Sequence, residues 1–313
     1  MTELRFDGRT AIVTGAGGNP GIGRAHALLL AARGANVVVN DINRVVAPGY
    51  PDVASAEAVV EEIRAAGGTA VADTHSVATE DGAAALIQTA IDAFGGVDIL
   101  INNAAISIAA PFEEITAHDL QQHIEINLMG TIWTCRAAWP HMKANGYGRI
   151  VNTCSAAFGG APLLVAYSAS KGGIFSFTRA LAAEGDAYGI KVNALSPGAF
   201  TRMVTAQQNE SSPMYQLCKT SLPAELVAPV AAFLSHESCP VTGDTINGVG
   251  GMVNRVYLAE TPGFSEDPLT LEGVAARWSE VTAGTPENAL PIAANDPREW
   301  EVKPYTASQP VGS

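Results

Sequence analysis

Short apolar runs rich in β-branched residues alternate with longer segments of helical periodicity along most of this chain of 313 residues. Strands that alternate with helices form a parallel sheet with helices packed on its faces. The sequence therefore predicts an α/β fold: a doubly wound, parallel, seven-stranded sheet of the Rossmann type, followed by a C-terminal extension. The predicted strands cover residues 10–14, 36–40, 69–72, 97–101, 149–152, 191–195 and 244–247.

The segments between these strands carry helix signals. Apolar residues from Ala83 to Phe94 recur at spacings of three and four, which places them on one face of a helix. Thr116 followed by Asp119 is typical of a helix N-terminus. Two longer helical segments cover about residues 119–144 and 166–188. We expect these elements to form one domain.

The composition excludes several classes of protein. With 18 basic and 31 acidic residues the net charge is −13, so the chain lacks the basic surplus of a nucleic-acid-binding protein. No apolar stretch reaches the roughly 18 residues of a membrane span, and the first residues lack the apolar core of a signal peptide. We therefore expect a cytoplasmic protein with no membrane span. The four cysteines show no metal-binding spacing, which predicts reduced thiols and no metal site.

The composition changes near residue 257. From there on the chain holds 7 of its 18 prolines, with 9 acidic against 3 basic residues. We interpret residues 1–257 as the cofactor-binding domain and residues 258–313 as an acidic, proline-rich extension with one helix around 269–281. The alternative is a partly disordered tail that adds solubility.

A glycine-rich loop follows the first predicted strand. Its sequence is Gly15-Ala16-Gly17-Gly18-Asn19-Pro20-Gly21-Ile22-Gly23, and a helix begins at its end. Glycines let backbone N–H groups approach a pyrophosphate, and the partial positive charge of a helix N-terminus favours it. Such a loop alone could be an ordinary turn, but its position between the first strand and the first helix favours a dinucleotide site.

An acidic residue ends the second predicted strand. Asp41 lies 18 residues beyond Gly23, close to the spacing of a ribose-binding acid. A carboxylate there accepts hydrogen bonds from both ribose hydroxyls and repels a 2′-phosphate, so the sequence favours NAD over NADP. Arg24 and Arg44 are the counter-argument, because an arginine near this ribose could hold the phosphate.

Four polar residues in the second half of the domain fit alcohol oxidation. Tyr167 and Lys171 are four apart on one helix face, and Ser155 lies twelve residues upstream at a strand end. Free tyrosine, with a pKa of about 10, is a poor base at neutral pH, and a nearby ammonium favours the phenolate. Ser155 would hold the substrate oxygen, and Asn127 would anchor a water that carries the proton onward from Lys171. The alternative for Asn127 is a helix-interior residue that caps a bend.

These residues resemble those of the short-chain dehydrogenase/reductase family, over about residues 8–250. Asn102-Asn103-Ala104-Ala105 is similar to the family's Asn-Asn-Ala-Gly turn beside the adenosine ribose. Pro197-Gly198 followed by Thr201 is similar to the segment that holds the nicotinamide carboxamide. The resemblance implies hydride transfer and a cofactor site formed by Gly15, Gly21, Ile22, Gly23, Asp41, Asn103, Ala104, Ala105, Tyr167, Lys171, Pro197, Gly198 and Thr201.

Within the family the sequence is similar to (3R)-hydroxyacyl-CoA dehydrogenases, both the dehydrogenase part of peroxisomal multifunctional enzymes of type 2 and actinobacterial single-domain relatives. Residues 37–41, 60–64 and 201–203 carry this similarity, as do 269–274 in the extension. It implies NAD-dependent oxidation of a 3-hydroxyacyl-CoA with a fatty or sterol side chain. It also implies a homodimer or homotetramer that pairs through the two long helices.

The chain departs from the family pattern at three places. Five residues instead of three separate Gly15 from Gly21, which alters the diphosphate contacts. His75 stands where the family has an acid facing adenine, so we expect His75 and Ser76 near that base. Ala105 replaces the last glycine of the Asn-Asn-Ala-Gly turn.

The substrate is less constrained than the cofactor. A 17β-hydroxysteroid or another bulky apolar alcohol is the alternative substrate, and a catalytically silent dinucleotide sensor is the alternative outside enzymology. Candidate cations for the phosphates of CoA are Arg202, Lys219 and Arg255. An apolar substrate wall is predicted from Phe158, Leu163, Leu164, Phe200, Met203, Val204, Met214, Tyr215, Leu217 and Leu222.

Overall fold

An eight-stranded sheet organises the chain. The computed structural model describes residues 3–43, 55–207, 209–285 and 290–291. The spatial order of the strands is β3-β2-β1-β4-β5-β6-β7-β8. Their bounds are β1 Thr10–Thr14, β2 Asn36–Asn40, β3 Thr69–Asp73, β4 Ile99–Asn102, β5 Gly148–Thr153, β6 Ile190–Gly198, β7 Thr245–Val249 and β8 Met252–Val256.

The prediction of seven strands is wrong by one. β1 to β7 are parallel as predicted, but β8 folds back and pairs antiparallel with β7. Gly250 and Gly251 form the turn with φ of 56° and 85°, values that suit glycine. Along β8 the side chains from Met252 to Arg255 are exposed on both faces, so it lacks the alternation that marks a strand in sequence.

Helices cover both faces of the sheet. Side chains alternate along each strand, so Ala11 and Val13 face one layer and Ile12 faces the other. The first layer contains α1, α2 and α9, and the second contains α3, α5 and α6. The helix bounds are α1 Ile22–Ala32, α2 Ala56–Ala65, α3 Glu80–Phe94, α4 Ala117–Gln122, α5 Gly130–Asn145, α6 Val165–Gly185, α7 Arg202–Gln207, α8 Pro213–Ser221 and α9 Ala228–Ser235.

The first long helical segment contains a change of helix type. Thr116 caps α4 as predicted, with its side chain accepting a hydrogen bond from the Asp119 amide. A π-helix, His123–Met129, then connects α4 to α5 without a break. Both His123 and Asn127 are fully buried in it. Short π-helices of this kind occur often at functional sites.

The strand order places a crevice at one edge of the sheet. The strand order changes direction between β1 and β4, where β2 and β3 extend to one side and β5, β6 and β7 to the other. In open parallel sheets a crevice forms at such a point, outside the carboxyl ends of the strands. The glycine-rich loop follows β1 and Ser155 follows β5, so both reach this edge.

In its described residues the extension contains two short helices where one helix is predicted. They are α10 Leu271–Ala276 and α11 Trp278–Thr282, and they meet at Arg277, which has non-helical backbone angles. The Arg277 guanidinium bonds Glu280 at 2.8 Å and lies 4.0 Å from the centroid of the Phe264 ring. A two-residue strand pair joins β9 Ala259–Glu260 to β10 Leu290–Pro291.

No single helix in the described ranges is long and apolar enough to cross a membrane, although α8 and the helical stretch Ala224–Ser235, bent by 58°, pass that test as a pair. All four cysteines are free and buried.

Candidate active site

A cavity of about 780 Å³ opens at the carboxyl ends of the parallel strands. It collects side chains and backbone from the loops after β1, β2, β3, β4, β5 and β6. Fourteen of the residues predicted to be catalytic or cofactor-binding line it: Gly15, Gly21, Ile22, Asp41, Ser76, Asn103, Ala104, Ala105, Ser155, Tyr167, Lys171, Pro197, Gly198 and Thr201. Gly23, His75 and Asn127 do not line it.

Close backbone contacts explain the glycines at the ends of the glycine-rich loop. Gly15 has φ of 62°, and a Cβ there would lie 2.7 Å from the Cα of Ala104. At Gly23 a Cβ would lie 2.5 Å from Nδ2 of Asn103. That Nδ2 donates to the carbonyls of Thr14 and Gly15 at 2.9 and 3.0 Å. Asn103 thus holds the start of the loop in place.

The start of α1 has the properties of an anion site. The helix begins at Ile22, and its N-cap, Gly21, offers no side-chain cap to the first amides. No acidic residue lies in the first turn. Free N–H groups and the helix dipole favour a phosphate at such an end. Because Gly18 and Gly21 also line the cavity, the residues present fit a dinucleotide diphosphate.

Asp41 lies beside this loop at the end of β2. Its Oδ2 accepts a hydrogen bond from the Gly17 amide at 3.0 Å, and its Oδ1 accepts one from Asn43 at 3.3 Å. Burial raises the pKa of the carboxyl, and these hydrogen bonds and Arg202 oppose that rise. Arg24 points away, in a bidentate pair with Glu62 at 3.0 and 2.5 Å. Arg44 lies outside the described residues.

The two residues expected near adenine differ in their placement. Ser76 lines the cavity. The His75 ring instead turns to Asp73, with Nδ1 2.8 Å from Oδ2. Asp73 also accepts hydrogen bonds from Asn40 and Thr89 at 2.7 and 2.8 Å. The contact of His75 with adenine stays a prediction.

Ser155, Tyr167 and Lys171 line one end of the cavity. Ser155 follows β5 in extended backbone, and its Oγ accepts a hydrogen bond from the Ala157 amide at 3.2 Å. Lys171 is 1% exposed, and its Nζ donates to the Thr153 carbonyl at 2.7 Å. This Nζ lies 5.5 Å from the centroid of the Tyr167 ring. Burial lowers the pKa of Lys171 to about 8, so the ammonium form prevails at neutral pH.

Asn127 binds the loop after β4 with its side chain. Its Oδ1 accepts from the Ile106 amide at 2.8 Å, and its Nδ2 donates to the Ile106 carbonyl at 2.9 Å and to Ser170 Oγ at 3.2 Å. The side chain therefore holds the cavity wall next to Ala105. A water relay through Asn127 stays a prediction.

His123 was not singled out in the sequence. Its Nδ1 lies 2.7 Å from the Asp119 carbonyl, so this nitrogen donates and Nε2 accepts from the Ile108 amide at 3.1 Å. Its ring meets that of Tyr167 edge to face at 6.5 Å. One turn of π-helix brings His123 and Asn127 onto the same buried side, and nothing in the sequence marks a π-helix.

The predicted apolar wall is present in part. Some of its members pack against other aromatic rings: Phe200 meets Tyr215 edge to face at 5.3 Å, and Phe158 stacks on Phe175 at 4.7 Å. Leu163 and Leu217 are exposed. The members that line the cavity are Leu164, Met203, Val204, Met214 and Leu222.

The three candidate cations for CoA differ in their surroundings. Arg255 pairs with Asp244 at 2.7 Å, and Nζ of Lys219 lies 5.9 Å from the centroid of the Tyr215 ring. Arg202 lines the cavity itself. Among the described residues, Lys171 and Arg202 are the basic side chains of the cavity wall.

Comparison with known proteins supports the assignment of fold and family. The family model described as short chain dehydrogenase matches residues 9–213. A short-chain type dehydrogenase/reductase of Mycobacterium tuberculosis is 42% identical over 88% of this chain and 94% of its own length. The peroxisomal hydratase-dehydrogenase-epimerase of Saccharomyces cerevisiae is 37% identical over 90% of this chain and 31% of its own length.

A solved structure is also similar to this chain over most of its length. The full-length peroxisomal multifunctional enzyme type 2 of Drosophila melanogaster aligns with a TM-score of 0.72 and 34% identity, over 89% of this chain and 46% of that chain. This chain therefore spans less than half the length of the two peroxisomal proteins.

Proposed function

Because the chain belongs to the short-chain dehydrogenase family, we propose that it oxidises a secondary alcohol with NAD, and that the alcohol is a 3-hydroxyacyl-CoA. The family assignment makes it an oxidoreductase with a Rossmann-type fold. The observation that carries the proposal is the meeting of Ser155, Tyr167 and Lys171 with the glycine-rich loop and Asp41 in one cavity.

The alcohol lies between Ser155 and Tyr167 in this proposal. Ser155 Oγ holds the substrate oxygen, and Tyr167 takes its proton. Burial of Lys171 against Thr153 fixes a positive charge close to the Tyr167 ring, which favours the phenolate over the phenol. The cavity would hold NAD, which would supply the hydride acceptor for the alcohol carbon.

The residues around Asp41 support NAD over NADP. A half-buried carboxylate such as that of Asp41 accepts hydrogen bonds from the ribose hydroxyls and repels a 2′-phosphate. Arg24, which could have attracted that phosphate, is engaged with Glu62. In this proposal the preference for NAD over NADP depends on the negative charge of Asp41.

Replacement of Asp41 by Asn is expected to lower the preference for NAD over NADP by about 100-fold, because it removes the repulsion and weakens two charge-assisted hydrogen bonds. The ratio of kcat/KM for the two cofactors measures it. Asp92→Asn, which removes an equal charge at an exposed side chain bonded to Gln88, is the control. A ratio unchanged in D41N, or a wild-type enzyme that prefers NADP, contradicts the assignment.

The cavity wall and the relatives support an acyl chain as substrate. Met203, Val204, Met214 and Leu222 form an apolar surface on the side of the cavity after β6. The yeast relative is named a hydratase-dehydrogenase-epimerase. A hydratase adds water to a double bond and leaves a hydroxyl, which a dehydrogenase then oxidises to a ketone. A hydroxyacyl substrate fits that pair of reactions.

A comparison of substrates tests this proposal. NADH formation is followed at saturating NAD with (3R)-hydroxyacyl-CoA, its (3S) isomer, the free hydroxy acid and a 17β-hydroxysteroid. We expect kcat/KM for the CoA ester to exceed that for the free acid and the steroid by at least about 10-fold, because CoA adds binding surface. Faster turnover of the steroid favours the hydroxysteroid alternative, and no turnover of the CoA ester refutes the proposal.

The proposal also covers the domain organisation, the oligomeric state and the cellular location of the protein. We assign residues 1–257 to the NAD-binding domain and 258–313 to an extension. We also propose a homodimer or homotetramer that pairs through α5 and α6, helices of 16 and 21 residues. The cytoplasmic location stays a prediction, and two of the relatives are peroxisomal by name.

A further inference from the structure

Arg202 connects two walls of the cavity. It is the first residue of α7, on the substrate side, yet its backbone amide donates to the carbonyl of Pro20 in the glycine-rich loop at 3.2 Å. Its side chain lies against Gly18, where an added Cβ would be 3.3 Å from Cδ and 3.4 Å from Nη1 of Arg202. The guanidinium therefore touches the loop that precedes α1.

The charge of Arg202 acts at the cofactor end of the cavity. Burial raises the pKa of the Asp41 carboxyl, and the charge of Arg202 opposes that rise. Lys171, the other basic side chain described in the wall, is bound to Thr153 beside Tyr167. The positive charge of Arg202 thus acts on the proposed ribose acid, and its side chain lies beside Gly18 of the loop that leads into α1.

The geometry points to Arg202 as the residue that binds the diphosphate of the dinucleotide. This inference rests on the function proposed above. The amides at the start of α1 supply uncharged donors, and a guanidinium adds a charged, bidentate donor from the opposite wall. In a chain with net charge −13, such a local cation offsets repulsion of the anionic cofactor.

A consequence follows for the substrate wall. Met203 and Val204 are the next residues on α7 and line the cavity. A diphosphate bound to Arg202 fixes the first turn of α7 against the glycine-rich loop. Cofactor binding therefore positions two apolar residues of the substrate site.

Binding measurements on four proteins test the inference. Wild type, Arg202→Gln, Arg202→Lys and Arg5→Gln are titrated calorimetrically with NADH and with ADP-ribose, and with adenosine in competition against NADH. Arg5 is an exposed control that pairs with Asp7 and does not line the cavity. We expect R202Q to weaken NADH and ADP-ribose by about 10- to 100-fold, and adenosine by less than about twofold.

Arg202→Lys keeps the charge but loses the bidentate geometry, so an intermediate loss of about 3- to 10-fold is expected for the two diphosphates. If R202Q does not fold, R202K by itself still tests the inference. R5Q should match wild type in all three titrations.

Three results would overturn the inference. Unchanged NADH affinity with a raised KM for the CoA ester would place Arg202 at the substrate phosphates. Equal losses for adenosine and ADP-ribose would show a purely structural role. A loss confined to NADPH, titrated in parallel, would place Arg202 at a 2′-phosphate. If wild type itself binds neither NADH nor NADPH, the proposed function fails; if it binds NADH and both variants bind it equally well, the inference alone fails.

Discussion

Replacement of Tyr167 by Phe is expected to lower kcat by about 1,000-fold while NADH affinity changes by less than about twofold. Phe retains the ring that packs against His123 at 6.5 Å and loses only the hydroxyl. The fold of α6 and the cofactor cradle should therefore persist, while the group that takes the alcohol proton is absent. Steady-state turnover of the CoA ester and calorimetric titration of NADH measure the two effects separately.

The matched control for this substitution is Tyr147→Phe. Tyr147 packs against Arg9 and Arg149, whose guanidinium carbons lie 3.7 and 4.3 Å from its ring centroid, and it does not line the cavity. Its variant should keep normal turnover. Undiminished activity in Y167F would refute the role of Tyr167. NADH binding without turnover of any alcohol by wild type would favour the dinucleotide sensor.

Replacement of Lys171 by Met is expected to lower kcat by about 100-fold and, at neutral pH, to stabilise the folded protein by about 1–2 kcal/mol. Burial shifts the pKa of Lys171 from 10.5 to about 8. At about 1.4 kcal/mol per pKa unit, that shift corresponds to about 3 kcal/mol against the charged form. Loss of the hydrogen bond to the Thr153 carbonyl offsets part of the gain.

The stabilisation by Lys171→Met should depend on pH in a defined direction. Between pH 8 and 10.5 the unfolded chain holds a proton on Lys171 that the folded chain has released. The stability of wild type therefore rises with pH across this window. The advantage of K171M is then full below about pH 8 and turns into a deficit toward about pH 10.5, because wild type gains about 3 kcal/mol across this window.

Urea unfolding of both proteins at several pH values measures this difference. Lys143→Met is the control, because Nζ of Lys143 lies on the Tyr188 ring at 4.0 Å in a position outside the cavity wall. Its free energy of unfolding should stay within about 0.5 kcal/mol of wild type at neutral pH, where K171M is expected to gain about 1–2 kcal/mol. If K171M is less stable than wild type at neutral pH, the buried ammonium stabilises the fold, contrary to the burial argument.

Most of the sheet could be predicted because buried parallel strands are continuous apolar runs. The predicted bounds of β1 and β2 agree with the structure residue for residue. β6 extends to Gly198, beyond the predicted end at residue 195, although Ser196-Pro197-Gly198 carries no strand signal. Its pairing with β7 there is a tertiary contact, which local sequence does not encode.

The candidate site, like the sheet, could be predicted only in part from the sequence. Ser155 and Asp41 could be placed because strand ends of a parallel sheet share one edge. The direction of a side chain depends on its neighbours in space: His75 turns to Asp73, and Asn127 turns to Ile106. Arg202 reaches Gly18 across the crevice, a contact between segments far apart in sequence.

The cavity wall draws on loops that follow six strands, from Gly15 after β1 to Thr201 after β6. A bound molecule therefore ties together segments that otherwise meet mainly through the sheet. A ligand present at about 100 times its Kd adds about 2.7 kcal/mol to the free energy of unfolding, a large share of the roughly 5–15 kcal/mol typical of a folded protein. In a cell that supplies the cofactor, the loaded form should resist proteolysis better than the empty one. The supply of dinucleotide would then set how long each copy of the protein lasts.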